Sequence, residues 1–303
     1  MEPGGVMRSV GILGVPMDLG SNRRGTDMGP SAIRYARLVE SLSSLGCAVR
    51  DFGNVSFPVP EQLQEGSSRV RYRDAIARVA EEVCEQVERI LAEGAFPVVL
   101  GGDHSCSLGT VAAVKRRFPE VGILWVDAHA DCNTPETTPT GNVHGMVLAC
   151  LLGEGDPRLV GVGDPRPKVS PDRVALVGLR EVDPGERALL RRLGITAFTM
   201  KEVDERGIAA VVREAIGIAG QGGRIHLSLD LDAVDPQYAP GVGTPVPGGL
   251  SYREAHLAME LVSESQRLAS IEVVELNPIL DDHNRTGRLA VELIASALGK
   301  RIL

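Results

Sequence analysis

No stretch of this 303-residue sequence approaches the roughly 18 consecutive apolar residues that a membrane-spanning helix needs. That absence argues against a helical membrane protein. The opening "MEPGGVMRSVGILGVP" has no charged segment followed by a long apolar core, so no signal peptide is read there. Basic charge is not in excess: Lys and Arg number 32 against 40 Asp and Glu, for a formal net charge of −8. General nucleic-acid binding normally leaves a basic footprint, whereas a small cationic substrate suits this balance. The cysteines, Cys47, Cys84, Cys106, Cys132 and Cys150, are odd in number, scattered and without a CxxC pair. Reduced thiols fit that pattern better than a disulfide framework does, and the expected location is cytoplasmic. There is no Ser/Gly linker, internal repeat or low-complexity tract. Length would allow two average domains, but α/β folds of this size often form one, and residues 1–303 are read as a single domain.

What the chain does have is 43% hydrophobic and 24% charged residues, enough to bury a large core. Short apolar runs alternate with helical patterns. The runs are "SVGILGV", "FPVVLGG", "VGILWVDAH", "RVALVGLR", "GITAFT", "RIHLSLDLD" and "ASIEVVELN". Between them, a helix is expected over 31–46, entered behind Pro30 and closed by Gly46. Another spans 74–93, with Ile76, Val79, Val83, Val87 and Ile90 on one stripe and Gly94 as its stop. A helix opens at the capping box Ser251-x-x-Glu254, and one closes the chain. Residues 54–73 and 153–173 read as long loops. Continuous apolar strands separated by helices indicate a mostly parallel sheet covered on both faces, a three-layer α/β/α fold.

Ligands of open α/β sheets bind beyond the carboxyl ends of the strands. Four runs end there in acidic or histidine residues. "PVVLGG" leads into Asp103 and His104, and "GILWV" into Asp127, His129 and Asp131. "RIHLSL" leads into Asp230 and Asp232, and "IEVV" into Glu275. In an extended segment residues i and i+2 share a face, so Asp127, His129 and Asp131 converge, as do Asp230 and Asp232. With His104 the set holds four carboxylates and two imidazoles. Such crowding is costly without counter-charge, and two divalent cations would cancel it. Oxygen-rich ligation with some imidazole and no thiolate favours Mn²⁺ over structural zinc; Cys132 points away. Two such ions about 3.5–4 Å apart can share a water and lower its pKa. Asp103 is read as a cap, His226 as a core histidine, and His256 and His283 as surface residues.

"GGDHS" (101–105), "DAHAD" (127–131) and "SLDLDAVDP" (228–236) resemble the three signature motifs of the ureohydrolases, the arginase and agmatinase family. The likeness runs from "GVPMDLGSNRRGTDMGPSAIR" to "VVELNP". It implies the arginase/deacetylase fold, a dinuclear manganese centre and hydrolysis of a guanidinium group to urea. Within the family the arginase branch is the nearer. "NTPETTPTGNVHGM" is similar to its loop for the α-carboxylate of L-arginine, which implies that role for Asn133, Thr140 and Asn142. Thr140 stands where Ser is usual; the hydroxyl is kept and a methyl is added. "GLREVDPGE" resembles the segment that receives the α-amino group, here Asp183 and Glu186, with Glu181 where Asp is common. Thr244 in "GTPVPGG" matches a position near the guanidinium.

The implied reaction converts L-arginine and water to L-ornithine and urea by attack of a hydroxide shared between the metals. Glu275 is expected to pair with the guanidinium, which stays protonated up to a pKa above about 12. Asp131 is expected to relay a proton to the leaving amine, and His144 to exchange protons with solvent. The resemblance also implies a homo-oligomer, trimer or hexamer, with 252–254 ("YRE") at a subunit contact. The rival readings are an agmatinase or other guanidino hydrolase, a fold-retaining protein without turnover, and a one-metal deacetylase. The first would not need the 133–142 loop with Asp183 and Glu186. The second would be expected to lack a ligand, and the third would leave some of the six unnecessary.

Overall fold

A computed structural model of the chain describes residues 8–301. Residues 1–7, part of the opening stretch read above, lie outside them, as do 302 and 303.

The strands are β1 (Ser9–Val15), β2 (Ala48–Asn54), β3 (Phe96–Gly101), β4 (Gly122–Val126), β5 (Val174–Leu179), β6 (Thr196–Thr199), β7 (Ile225–Asp230) and β8 (Leu268–Val274). They form one sheet in the order β2-β1-β3-β8-β7-β4-β5-β6, and every pairing in it is parallel. The strands that end in the acidic and histidine residues, β3, β8, β7 and β4, are the four central neighbours. Their carboxyl ends therefore lie side by side.

The sheet separates two cores. In β4, Ile123 and Trp125 join the cluster that holds α3 (Arg73–Ala92) and α4 (Ser107–Arg117). Leu124 and Val126 join the opposite one, with α7 (Ile208–Ala219), α8 (Tyr252–Glu264) and α9 (Arg285–Ala297). Helices on both faces explain why most of the runs are apolar throughout rather than alternating; β7 and β8 instead turn His226, Ser228, Ser270 and Glu272 inward as buried polar residues. Burying each such aliphatic side chain is worth roughly 1.5–3 kcal/mol. Ser251 and Glu254 form the expected capping box on α8, Glu254 N donating to Ser251 Oγ at 3.3 Å and Ser251 N to Glu254 Oε2 at 2.8 Å.

The elements depart from the sequence reading in four places. The helix expected over 31–46 is two, α1 (Gly29–Tyr35) and α2 (Leu38–Ser44), because Arg37 adopts φ 68°. The break turns Leu38 and Leu42 into the core, and neither glycine nor proline announces it. β2 was not expected; it is the sheet edge, with mostly exposed residues, and so lacks a long apolar run. The 54–73 loop contains a two-residue hairpin, Gly66–Ser67 against Val70–Arg71. Segment 153–173 carries a short helix, Pro157–Val160, and is closed by buried Lys168, whose ammonium donates to the carbonyls of Val160, Asp164 and Arg166. The remaining helices are α5 (Pro184–Leu193) and α6 (Met200–Arg206), with Val147–Leu151 as a short turn of helix.

Candidate active site

The site is assembled by tight turns at the four central strand ends. Past β3 the chain must run against residue 17: a Cβ on Gly102 would stand 1.9 Å from Met17 O, so only glycine fits. Asp103 then caps the turn, accepting from Ser105 N at 2.9 Å and Gly20 N at 2.6 Å. That is the structural role expected of it. His104 follows, its ring stacked on Trp125 with centroids 4.2 Å apart and planes within 7°.

His104 Nδ1 lies 3.3 Å from Asp127 Oδ2, 2.9 Å from Asp131 Oδ2 and 3.2 Å from Asp230 Oδ2. His129 Nδ1 lies 3.5 Å from Asp127 Oδ1 and 3.0 Å from Asp232 Oδ2. The six expected ligands thus form two adjoining groups, and Asp127 offers one oxygen to each. Their convergence has another cause than strand alternation, because β4 ends at Val126. Asp127 Oδ1 accepts from His129 N at 2.6 Å, and Asp230 Oδ1 from Asp232 N at 2.8 Å. These are Asx turns. Asp131 has φ 51°, an uncommon conformation for a non-glycine residue, of the kind that clusters at functional sites. It sends Cys132 into the apolar core, as expected.

The chemistry of this cluster fits divalent cations. His104 Nδ1 is buried and makes no aligned hydrogen bond, although carboxylate oxygens surround it. Burial and the neighbouring Asp127 push Asp131 up to about 6 and raise Asp232. Burial and Asp232 raise Asp230 well above the usual carboxylate range. Without counter-charge the group holds on to protons; cations would displace them.

Glu275, just past β8, has φ 66°. Its Oε1 accepts from His104 N at 2.8 Å and meets His144 Nδ1 at 3.1 Å, while Oε2 is buried without a partner. Burial alone would lower the His144 pKa, but Glu275 outweighs it and lifts the ring to about 9. A group whose pKa is raised by folding stabilises the fold fully below its unfolded value and loses that contribution as pH rises through the folded one. In metal-free protein the His144–Glu275 pair should therefore contribute on the order of 1–3 kcal/mol at pH 6 and little at pH 10. Denaturant unfolding of wild type and His144→Asn at both pH values checks this. A gap between the two proteins that does not shrink towards pH 10 would refute it.

A cavity of about 290 Å³ opens over these residues, near the lower end for small-molecule sites. His129, Asp131, Asn133, Thr140, Asn142, His144, Asp183, Glu186, Asp230, Asp232, Thr244 and Glu275 all line it. Asn133 Nδ2 donates to Asp183 Oδ2 at 2.9 Å, and Thr140 Oγ1 accepts from Asn142 N at 3.2 Å. Thr244 Oγ1 donates to Asp232 Oδ2 at 3.1 Å. Asp183 and Glu186 also form a capping box at the start of α5; burial raises Glu186 to about 7. Loop 133–142 is pinned at Gly141, whose φ of +78° and 2.0 Å gap from a Cβ to Ser68 O admit no side chain.

Sequence reasoning passed over several lining residues, namely Thr138 and the Ser21–Asn22–Arg23 rim. Thr138 lay inside the quoted loop, and its Oγ1 accepts from Gly141 N at 2.9 Å. The rim lay inside the quoted stretch at which the likeness begins, where no residue was given a role. Among the other histidines, His226 is in the core as expected and His283 is exposed. His256 is not at the surface. It is buried between α8 and α9, with Nδ1 2.9 Å from Ser296 Oγ and its ring 4.4 Å from Tyr252, because the helix pairing covers that position.

Comparison with known proteins adds to this geometry. The description "Arginase family" matches residues 8–299. The arginase of Bacillus caldovelox is 48% identical over 299 residues, covering 98% of this chain and all of that one. A solved structure of Bacillus caldovelox arginase superposes with a TM-score of 0.95 over 98% of this chain and 100% of that chain, at 48% identity. Entamoeba histolytica arginase, solved in complex with L-ornithine, gives a TM-score of 0.90 at 31% identity, covering 97% and 99%.

Proposed function

The chain belongs to the arginase family, a family of hydrolases, and from that premise we propose that it converts L-arginine and water to L-ornithine and urea at a site holding two Mn²⁺ ions. The observation that carries this reading is the pair of histidine–carboxylate groups sharing Asp127, whose His129, Asp131, Asp230 and Asp232 line an acidic cavity. His104, Asp127, Asp131 and Asp230 would hold one ion; Asp127, His129 and Asp232 would hold the other. Bound there, the two ions would supply Lewis-acid chemistry, making a water acidic enough to serve as the nucleophile at neutral pH.

The chain's own groups do the rest. Glu275 Oε2, buried without a partner, is the acceptor for the substrate guanidinium. A charge-assisted pair there fixes the planar cation over the ligands. Thr244, bonded to Asp232, closes the same end. Asn133, Thr140 and Asn142 present neutral donors to the α-carboxylate, and the acids Asp183 and Glu186 receive the α-ammonium. The methyl of Thr140 costs nothing in donors, since the hydroxyl remains. Asp131 passes a proton toward the departing amine. His144, 18% exposed at the side chain and 3.1 Å from Glu275, exchanges protons between the cavity and solvent.

Urea release from Mn²⁺-loaded protein, with L-arginine and agmatine compared at equal concentration, tests the reading. A site built to bind a carboxylate and an ammonium rejects an analogue lacking the carboxylate by leaving its buried polar groups unpaired. L-arginine should be favoured in kcat/KM by about 10²-fold or more. Preference for agmatine would overturn the roles of 133–142, and no urea from either would overturn the reaction.

The same reading takes residues 1–303 as a single ureohydrolase domain working in the cytoplasm, where its five free thiols would stay reduced. Among the described residues no helix is long and apolar enough to cross a membrane. It also takes the protein as a homo-oligomer, trimer or hexamer. Arg253 of the 252–254 segment is exposed and pairs with Glu260 on its own helix.

A further inference from the structure

Behind His104 lies a buried polar chain that the reaction itself does not use. His104 Nε2 is 2.8 Å from Ser228 Oγ. Ser228 Oγ donates to Glu272 Oε1 at 2.7 Å, and Ser107 Oγ donates to the same oxygen at 2.5 Å. His226 Nε2 faces it at 3.1 Å, and His226 Nδ1 is held by Ser270 Oγ at 2.8 Å. Ser107, His226, Ser228, Ser270 and Glu272 are all fully buried. An ionised carboxylate in an apolar core costs several kcal/mol unless its lone pairs are filled, so this grouping requires a reason.

The direction of the hydrogen bonds supplies one. Burial alone would raise the Glu272 pKa, but the facing His226 and the donated bonds hold it down to about 2. A carboxylate can only accept, so Ser228 spends its single proton on Glu272. Its oxygen is then left to accept, and the one neighbour able to donate is His104 Nε2–H. With the proton committed to Nε2, the lone pair of His104 sits on Nδ1, the atom that faces Asp127, Asp131 and Asp230. We propose that Glu272, inside β8 and outside the cavity lining, is a positioning residue that sets the tautomer and orientation of His104 through Ser228, with His226 and Ser270 holding Glu272 in place. The inference rests on the proposed metal site. Ligating histidines commonly donate their other N–H in this way, and loss of such a partner costs about 10–100-fold in metal affinity.

The consequence is asymmetric. The chain touches His104 and not His129, so it should tune one ion and spare the other. Mn²⁺ titration followed by electron paramagnetic resonance of the free ion reads both affinities. Ser228→Ala and Glu272→Ala should each weaken one site by about 10–100-fold and leave the second within about threefold of wild type. The double variant should lose no more than Ser228→Ala alone, since both cut the same chain. Ser107→Ala, which removes a hydroxyl from Glu272 but not from His104, is the control and should keep both affinities. If Glu272→Ala does not fold, Ser228→Ala and its rescue by Ser228→Thr decide the matter. Unchanged affinities in folded Ser228→Ala, or equal weakening of both sites, would overturn the inference while leaving the metal site intact. Failure of the wild type to bind Mn²⁺ would overturn both.

Discussion

Asp127→Asn should abolish turnover while leaving a folded protein. Asp127 is the one side chain that gives an oxygen to each histidine–carboxylate group, Oδ2 at 3.3 Å from His104 and Oδ1 at 3.5 Å from His129. An asparagine can offer its carbonyl oxygen to one group; its amide then turns N–H toward the other cation. The several kcal/mol that a metal pair supplies to the transition state correspond to about 10³-fold or more in rate. Urea release should fall by at least that factor. Binding stabilises the folded chain by mass action, about 4 kcal/mol per site at 1,000 times Kd, and a chain of this size shifts its Tm by about 2–4 °C per kcal/mol. At that excess, with both sites filled, Mn²⁺ should thus raise the Tm of wild type by more than about 10 °C and that of Asp127→Asn by much less. A variant that keeps two ions and normal turnover would remove Asp127 from the site.

Glu275→Gln should produce the second large loss, and it should separate binding of substrate from binding of metal. Oε1 already accepts from His104 N, and Gln can keep that bond through its own oxygen. Its amide then occupies the place of Oε2, presenting N–H to the N–H groups of the guanidinium. Leaving a buried charge without its partner costs about 2–5 kcal/mol, or roughly 30- to 4,000-fold in kcat/KM at about 1.4 kcal/mol per decade. Manganese content should stay at the wild-type level, because Glu275 belongs to neither group of ligands. The left-handed backbone at 275 is shared by Gln, so the fold should hold. Loss of metal in this variant, or retained kcat/KM, would assign Glu275 a purely structural role.

That these six side chains would cluster was legible because acids and histidines directly behind buried apolar strands are improbable in a sequence. The path by which they converge was not. Alternation suggested an extended segment at 127–131, whereas the chain turns there, with Asx bonds at Asp127 and Asp230 and a left-handed Asp131. Both routes bring the same atoms together, which is why the expectation survived a wrong geometry. His256 went the other way: one polar residue on an amphipathic helix reads as exposed, and only the packing of α8 on α9 buries it. The edge strand β2 and the break at Arg37 were likewise silent, since neither involves a long apolar run or a turn-forming residue.

Residue periodicity and the order of apolar runs by themselves determined a parallel α/β sheet, the edge at which a site must lie and the six side chains fit to hold cations. These follow from local rules, as burial on two faces dictates continuous apolar strands and ionisable groups must leave them at the ends. Tertiary structure alone decided that β3, β8, β7 and β4 are neighbours, that Asp127 faces both histidines, and that Glu272 stands behind His104. These are distances between residues remote in the chain, set by how eight strands order themselves, and no local preference encodes them.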